Sequence, residues 1–104
     1  MKEISAKEAF NLIKNNNLIL LDTRTQEEYR QGHLKNSILI DLTNPEVMKK
    51  ITSLNKDKNY LLYCHTGGRS MYVMQVMTSL GYKNISHIQG GIESWESQGL
   101  PIEK

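Results

Sequence analysis

Four short apolar runs, each too short for a helix and each followed by a capped or amphipathic stretch, limit this chain to a narrow set of architectures. Leu18-Ile19-Leu20-Leu21 is continuous and framed by Asn and Asp, and Ser37-Ile38-Leu39-Ile40 resembles it. Both read as strands covered on two faces. Asn59 to Tyr63 and Ile85 to Ile88 supply two more. Between them lie helix signals. Ser5-Ala6-Lys7-Glu8 is a capping box that opens a helix ending near Asn15, and Thr25-Gln26-Glu27-Glu28 opens another ending near Gln31, before Gly32. Asn44-Pro45 places a cap and a first-turn proline before a helix over Glu46 to Leu54. Val73, Val76, Met77 and Leu80 fall on one helical stripe that Gly81 stops, and Gly90-Gly91 leads a last helix through Trp95, closed by Gly99 and Pro101. Strand-helix alternation over connections this short predicts an α/β fold with a largely parallel sheet, helices on both faces and right-handed crossovers.

A chain of 104 residues with 38% hydrophobic content suits one domain, 1–104, built on a single core. The net charge of +2 comes from scattered lysines, which does not indicate a nucleic-acid surface. No apolar stretch reaches membrane-span length, and the start, Met1-Lys2-Glu3-Ile4-Ser5, lacks the apolar run of a secretion signal, so no membrane association and a cytoplasmic location are expected. One cysteine cannot close an internal disulfide, and a reducing compartment preserves a free thiol. His33, His65 and His87 lack paired ligand spacing, so no metal site is expected.

That one cysteine holds the chemistry. A lone Cys is ordinarily a small buried hydrophobe, but Cys64 sits where Tyr60-Leu61-Leu62-Tyr63 breaks into His65-Thr66-Gly67-Gly68-Arg69-Ser70 and a helical pattern follows. In open α/β sheets ligands bind beyond the carboxyl ends of strands. Backbone N–H groups curling ahead of a helix stabilise negative charge there and depress a thiol pKa.

Asp22-Thr23-Arg24, Glu28-Tyr29, Gly32-His33, the Cys64–Ser70 loop, and Gly90-Gly91 with Trp95 together resemble the single-domain rhodanese family of sulfurtransferases from end to end. The resemblance implies a central, mostly parallel five-stranded sheet with helices on both faces, and no cofactor. It also implies that Cys64 takes a sulfane sulfur from a small donor such as thiosulfate or a persulfide. The resulting Cys64 persulfide would pass that sulfur to a thiol or cyanide acceptor. His65, Thr66, Gly67, Gly68, Arg69 and Ser70 would bind the substrate sulfur through their amides. Cysteine-dependent phosphatases, related to one branch of this fold, place five residues between cysteine and arginine; here four intervene, giving a smaller cradle. Phosphatase or arsenate-reductase chemistry is therefore a lesser alternative. A persulfide relay fed by a protein partner, with poor turnover of small donors, is the main one, because Thr66, Gly67 and Gly68 leave Arg69 as the loop's only permanent cation.

Arg69 can either face an anionic donor or pair with Asp22 or Glu28. Arg24, at a strand end, reads as structural, with Glu28 placed to reach it. Gly32-His33-Leu34-Lys35-Asn36-Ser37 lacks the proline and second glycine of the family's turn, but Asn36 tolerates a left-handed conformation. His33 and His87 read as structural, whereas His65 can add positive charge to the loop mouth. Met71, Met74 and Met77 read as core. Trp95 is expected to anchor the last helix and to line one side of the mouth. Gly90-Gly91 would permit a close backbone approach.

Overall fold

A computed structural model describes residues 2–15 and 17–104. Its elements run β1 (Lys2–Ile4), α1 (Ala6–Asn15), β2 (Leu18–Asp22), α2 (Gln26–Gln31), β3 (Ile38–Leu39), α3 (Val47–Thr52), β4 (Asn59–Tyr63), α4 (Gly68–Ser79), β5 (Ile85–Ile88) and α5 (Gly91–Ser97). The sheet order is β1-β5-β4-β2-β3, and every pairing is parallel. β4, which delivers Cys64, therefore occupies the centre, with the carboxyl ends of β2 and β5 on either side.

The continuous apolar runs arise because both sheet faces are covered. Along β2, Leu18 and Leu20 join the core beneath α1 and α5, while Ile19 and Leu21 join the core beneath α3 and α4. Leu61 and Leu62 divide in the same way on β4. Period-2 alternation thus feeds two cores rather than one core and solvent. Met74 and Met77 are buried in the α4 core, with Met71 packed at its margin, the core role expected of them.

Local signals explain the helix starts. The Ser5 hydroxyl accepts the Glu8 amide at 3.1 Å. At α2 the box closes in both directions: Thr25 Oγ1 accepts the Glu28 amide, and Glu28 Oε1 accepts the Thr25 amide. Asn36 adopts φ 66°, so the bend survives without the family's glycine.

Three expectations about the elements change. Ser37–Ile40 is a two-residue edge strand with Ile38 exposed, because only β2 pairs with it. The third helix begins at Val47 rather than Glu46, since Asn44 Oδ1 accepts the Glu46 amide and Asn44 O accepts that of Val47, making a turn first. The fifth strand is Lys2–Ile4, which hydropathy alone does not mark: only Ile4 is buried there, and pairing with β5 defines it. No described helix is long and apolar enough to cross a membrane.

Candidate active site

Cys64 follows β4 directly and is 1% exposed, yet it joins neither apolar core. Its surroundings are polar backbone. The carbonyls of Cys64 and His65 are tied outward to α5, accepting the amides of Ile92 (2.8 Å) and Glu93 (3.1 Å). That approach requires glycine at 91, which sits at φ 58° where a β carbon would run into those same carbonyls. With the carbonyls engaged, the loop turns through Gly67 at φ 121° and presents amides inward. Gly67 N–H donates to Cys64 Sγ at 2.9 Å.

Gly68, Arg69 and Ser70 form the first turn of α4 rather than loop, so unsatisfied amides of a twelve-residue helix point toward the sulfur. Burial pushes the Cys64 thiol up, but hydrogen bonding by the Ser70 amide and hydroxyl, and by the amides of Gly67 and Arg69, outweighs it and holds the pKa below the ordinary value. Of these donors, the Gly67 amide makes a hydrogen bond to Sγ of well-formed geometry.

Around this cradle the charges pair off. Arg69 Nη1 and Nη2 bind Glu28 Oε1 and Oε2 at 2.6 and 3.0 Å, a bidentate fork that, opposed by some burial, holds the Glu28 carboxyl down at about 2. The expectation that Glu28 reaches Arg24 is therefore corrected: Arg24 is buried, binds Asp22 through Nε and Nη2, and donates from Nη2 to the Gly32 carbonyl at 2.6 Å. Of the two carboxylates open to Arg69, Glu28 is the one used, because Arg24 already occupies Asp22. His65 Nε2 lies 3.3 Å from Glu93 Oε2, both side chains largely exposed.

Arg24, Glu28, His65, Ile92, Glu96 and Ile102 line a polar cleft of about 270 Å3 beside the loop. Trp95 is absent from it. The indole packs edge-on against Phe10 in the opposite core and donates to the Pro101 carbonyl at 2.8 Å, which corrects its expected place at the mouth. His33 stacks on Tyr29 at 3.8 Å and its Nδ1 lies 2.9 Å from the Tyr29 carbonyl, a structural role as expected. Among the described residues, no cluster of three or more His, Cys, Asp or Glu could hold a metal ion.

Sequence reasoning missed Ile102, and read His87 as structural without identifying its partner. Ile102 closes the cleft because residues 101–104 fold back, with His33 and Glu103 exchanging backbone hydrogen bonds at 2.8 Å. His87 is buried directly behind Ser70, its Nδ1 2.9 Å from Ser70 Oγ. Its position two residues after Ile85 on a strand was the available signal, since it places the imidazole on the α4 face.

The family model of the rhodanese-like domain matches residues 5–98. The chain is 29% identical over 96 residues to the thiosulfate sulfurtransferase GlpE of Coxiella burnetii, covering 92% of this chain and 88% of that protein. It is 25% identical to the chloroplastic rhodanese-like domain-containing protein 14 of Arabidopsis thaliana, covering 99% of this chain but only 65% of that longer protein. Among solved structures, a rhodanese-related protein from Thermoplasma volcanium superposes with a TM-score of 0.88 at 33% identity, covering 99% of this chain and 98% of the other.

Proposed function

The chain belongs to the rhodanese-like family, and on that basis we propose that it is a sulfurtransferase, acting as one domain over residues 1–104, in which Cys64 carries the sulfur. In the first step the Cys64 thiolate attacks the sulfane sulfur of the donor. For thiosulfate, the bond from that sulfur to the sulfonate group breaks and sulfite leaves with the electron pair. The terminal sulfur of the new persulfide is an anion held by the amides from His65 to Ser70. In the second step a thiol or cyanide acceptor attacks that sulfur, and Cys64 leaves as a thiolate. Both steps are displacements at sulfur and require no cofactor.

The observation that carries this reading is the Gly67 amide on Sγ at the start of α4, together with a thiol pKa lowered against its own burial. Exposing the protein to thiosulfate should add the mass of one sulfur atom to Cys64, and cyanide should remove it. Cys64→Ala should abolish transfer, and transfer retained by that variant would refute the assignment.

A specific observation also favours relay from a protein persulfide. The loop's one permanent cation is engaged, Arg69 by Glu28, so little free positive charge remains to attract a small dianion. Loading from a protein persulfide with no loading from thiosulfate would select relay. The bidentate hold on Arg69 also removes the guanidinium a phosphatase would direct at phosphate, so turnover of an aryl phosphate is not expected.

A further inference from the structure

The polar cleft beside the cysteine loop abuts the reactive residue from two directions. His65 follows Cys64 directly, the Ile92 amide holds the Cys64 carbonyl at 2.8 Å, and both residues line the cleft. Its charges do not balance. Arg24 is the one permanent cation among the described lining residues, and the buried Asp22 carboxylate neutralises it through a 2.7 Å contact. Glu28 is neutralised in turn by Arg69, which reaches it from α4 at 2.6 Å. Glu96 remains: it is exposed on α5, lines the cleft, and forms no ion pair among the described residues. Glu93, one helical turn earlier, adds a second exposed carboxylate 3.3 Å from the His65 imidazole. Fold stability does not account for this pair. Like charges three positions apart on a helix repel, and Glu96 stands in the last turn of α5, where the negative end of the helix dipole disfavours a carboxylate.

We propose that Glu96, backed by Glu93, selects sulfur carriers by charge. The cleft favours the approach to Cys64 of a thiol or persulfide borne beside an ammonium or guanidinium group, and disfavours one borne beside a carboxylate or sulfonate. Ile92 and Ile102 give the carrier's aliphatic stem an apolar wall between that cation and the sulfur. Glu96 touches no reacting atom, so it is a specificity determinant: it alters the rate of productive encounter rather than the displacement at sulfur. Being exposed, it acts through a field that salt screens.

The charge filter rests on Cys64 being the sulfur that carriers must reach, and it deepens the carrier reading of the function. Its test needs no sulfur donor, so it can fail while sulfur transfer succeeds, and transfer can fail while the filter stands. Cys64 is the only cysteine, so modification is read at one thiol. Three methanethiosulfonate reagents share a reactive group and differ in tail: trimethylammonioethyl, sulfonatoethyl and methyl. With each, the Cys64 thiolate attacks the reagent's divalent sulfur, a disulfide forms, and methanesulfinate leaves with the electron pair. Rates are measured by mass spectrometry at pH 8, above the range in which imidazoles ordinarily titrate, and divided by those of free 2-mercaptoethanol. The cationic reagent should exceed the anionic one by roughly threefold or more at low salt, with the ratio falling toward one in about 1 M NaCl. Glu96→Gln should cut the ratio about twofold, and adding Glu93→Gln should cut it further. Glu46→Gln, beside α3 on the other sheet face, removes the same unit of charge and should leave the ratio in place. A wild-type ratio of one or less, equal ratios in Glu96→Gln and Glu46→Gln, or failure of all three reagents to modify Cys64 would overturn the proposal.

Discussion

Replacing Gly91 with alanine tests whether α5 sets the position of the cysteine loop. The residue sits at φ 58°, where an L side chain costs ~1 kcal/mol. A β carbon there would overlap the Cys64 carbonyl oxygen and lie 2.6 Å from that of His65, whereas real β carbons essentially never approach within 3.0 Å. Both obstacles are backbone, so the loop and helix must separate. Separation weakens the Ile92 to Cys64 and Glu93 to His65 hydrogen bonds, each contributing ~1 kcal/mol net. The sum, ~3 kcal/mol, corresponds in a chain of this size to a melting temperature lowered by roughly 12 °C or more. Gly99→Ala is the control: φ is 71° but no atom lies within 4 Å, so only the conformational cost applies, roughly 4–8 °C. Thermal unfolding followed by circular dichroism compares the two, and Cys64 alkylation should slow in Gly91→Ala alone. Equal losses of stability, or equal alkylation rates, would mean that the close approach does not hold the loop.

Two further perturbations address the charge pairs. Because the Arg69 fork holds the Glu28 carboxyl at about 2, against an ordinary 4.5, its stabilisation is fully present above pH 4.5 and disappears as pH falls toward 2. The shift corresponds to ~3 kcal/mol before solvent screening, and to ~1–2 kcal/mol for a pair about one-third exposed. Glu28→Gln should therefore lower stability by that amount at pH 7 and by nearly nothing at pH 2, read from urea midpoints at both; an equal loss at both would rule out the ion pair as its source. Asp22→Asn leaves the buried Arg24 guanidinium facing a neutral partner and should cost ~3 kcal/mol or more in urea unfolding; a loss under ~1 kcal/mol would show that the Gly32 carbonyl suffices for Arg24.

The sequence discloses most of the scaffold because its strands are buried on both faces and its helices carry their own caps. Leu18–Leu21 and Asn59–Tyr63 are unmistakable for the first reason, and Thr25 with Glu28 for the second. Lys2–Ile4 escapes notice because two of its three residues are exposed and its definition comes from β5, near the other end of the chain. The cradle is legible for a related reason. Its donors are amides that follow from loop length, glycine placement and the helix start, all of them local. Side-chain partners are not local. Along the chain Glu28 lies four residues from Arg24, and only the docking of α2 beside α4 assigns it instead to Arg69, 41 positions away.

That division between backbone and side chains also shapes the electrostatics of the site. Arg69 faces a carboxylate, so the attraction felt by an incoming anion is the difference between paired charges, and such differences fade within a Debye length of ~8 Å at physiological salt. The amides of Gly67, Arg69 and Ser70 are fixed dipoles with no counter-charge, and they act on a sulfur that is 1% exposed, where salt screens far less. A site built this way offers little long-range pull and strong short-range hold. Such a site would stabilise an anion already formed on Cys64 more effectively than it gathers anions from solution, which supports the proposed delivery of sulfur by direct contact with a carrier.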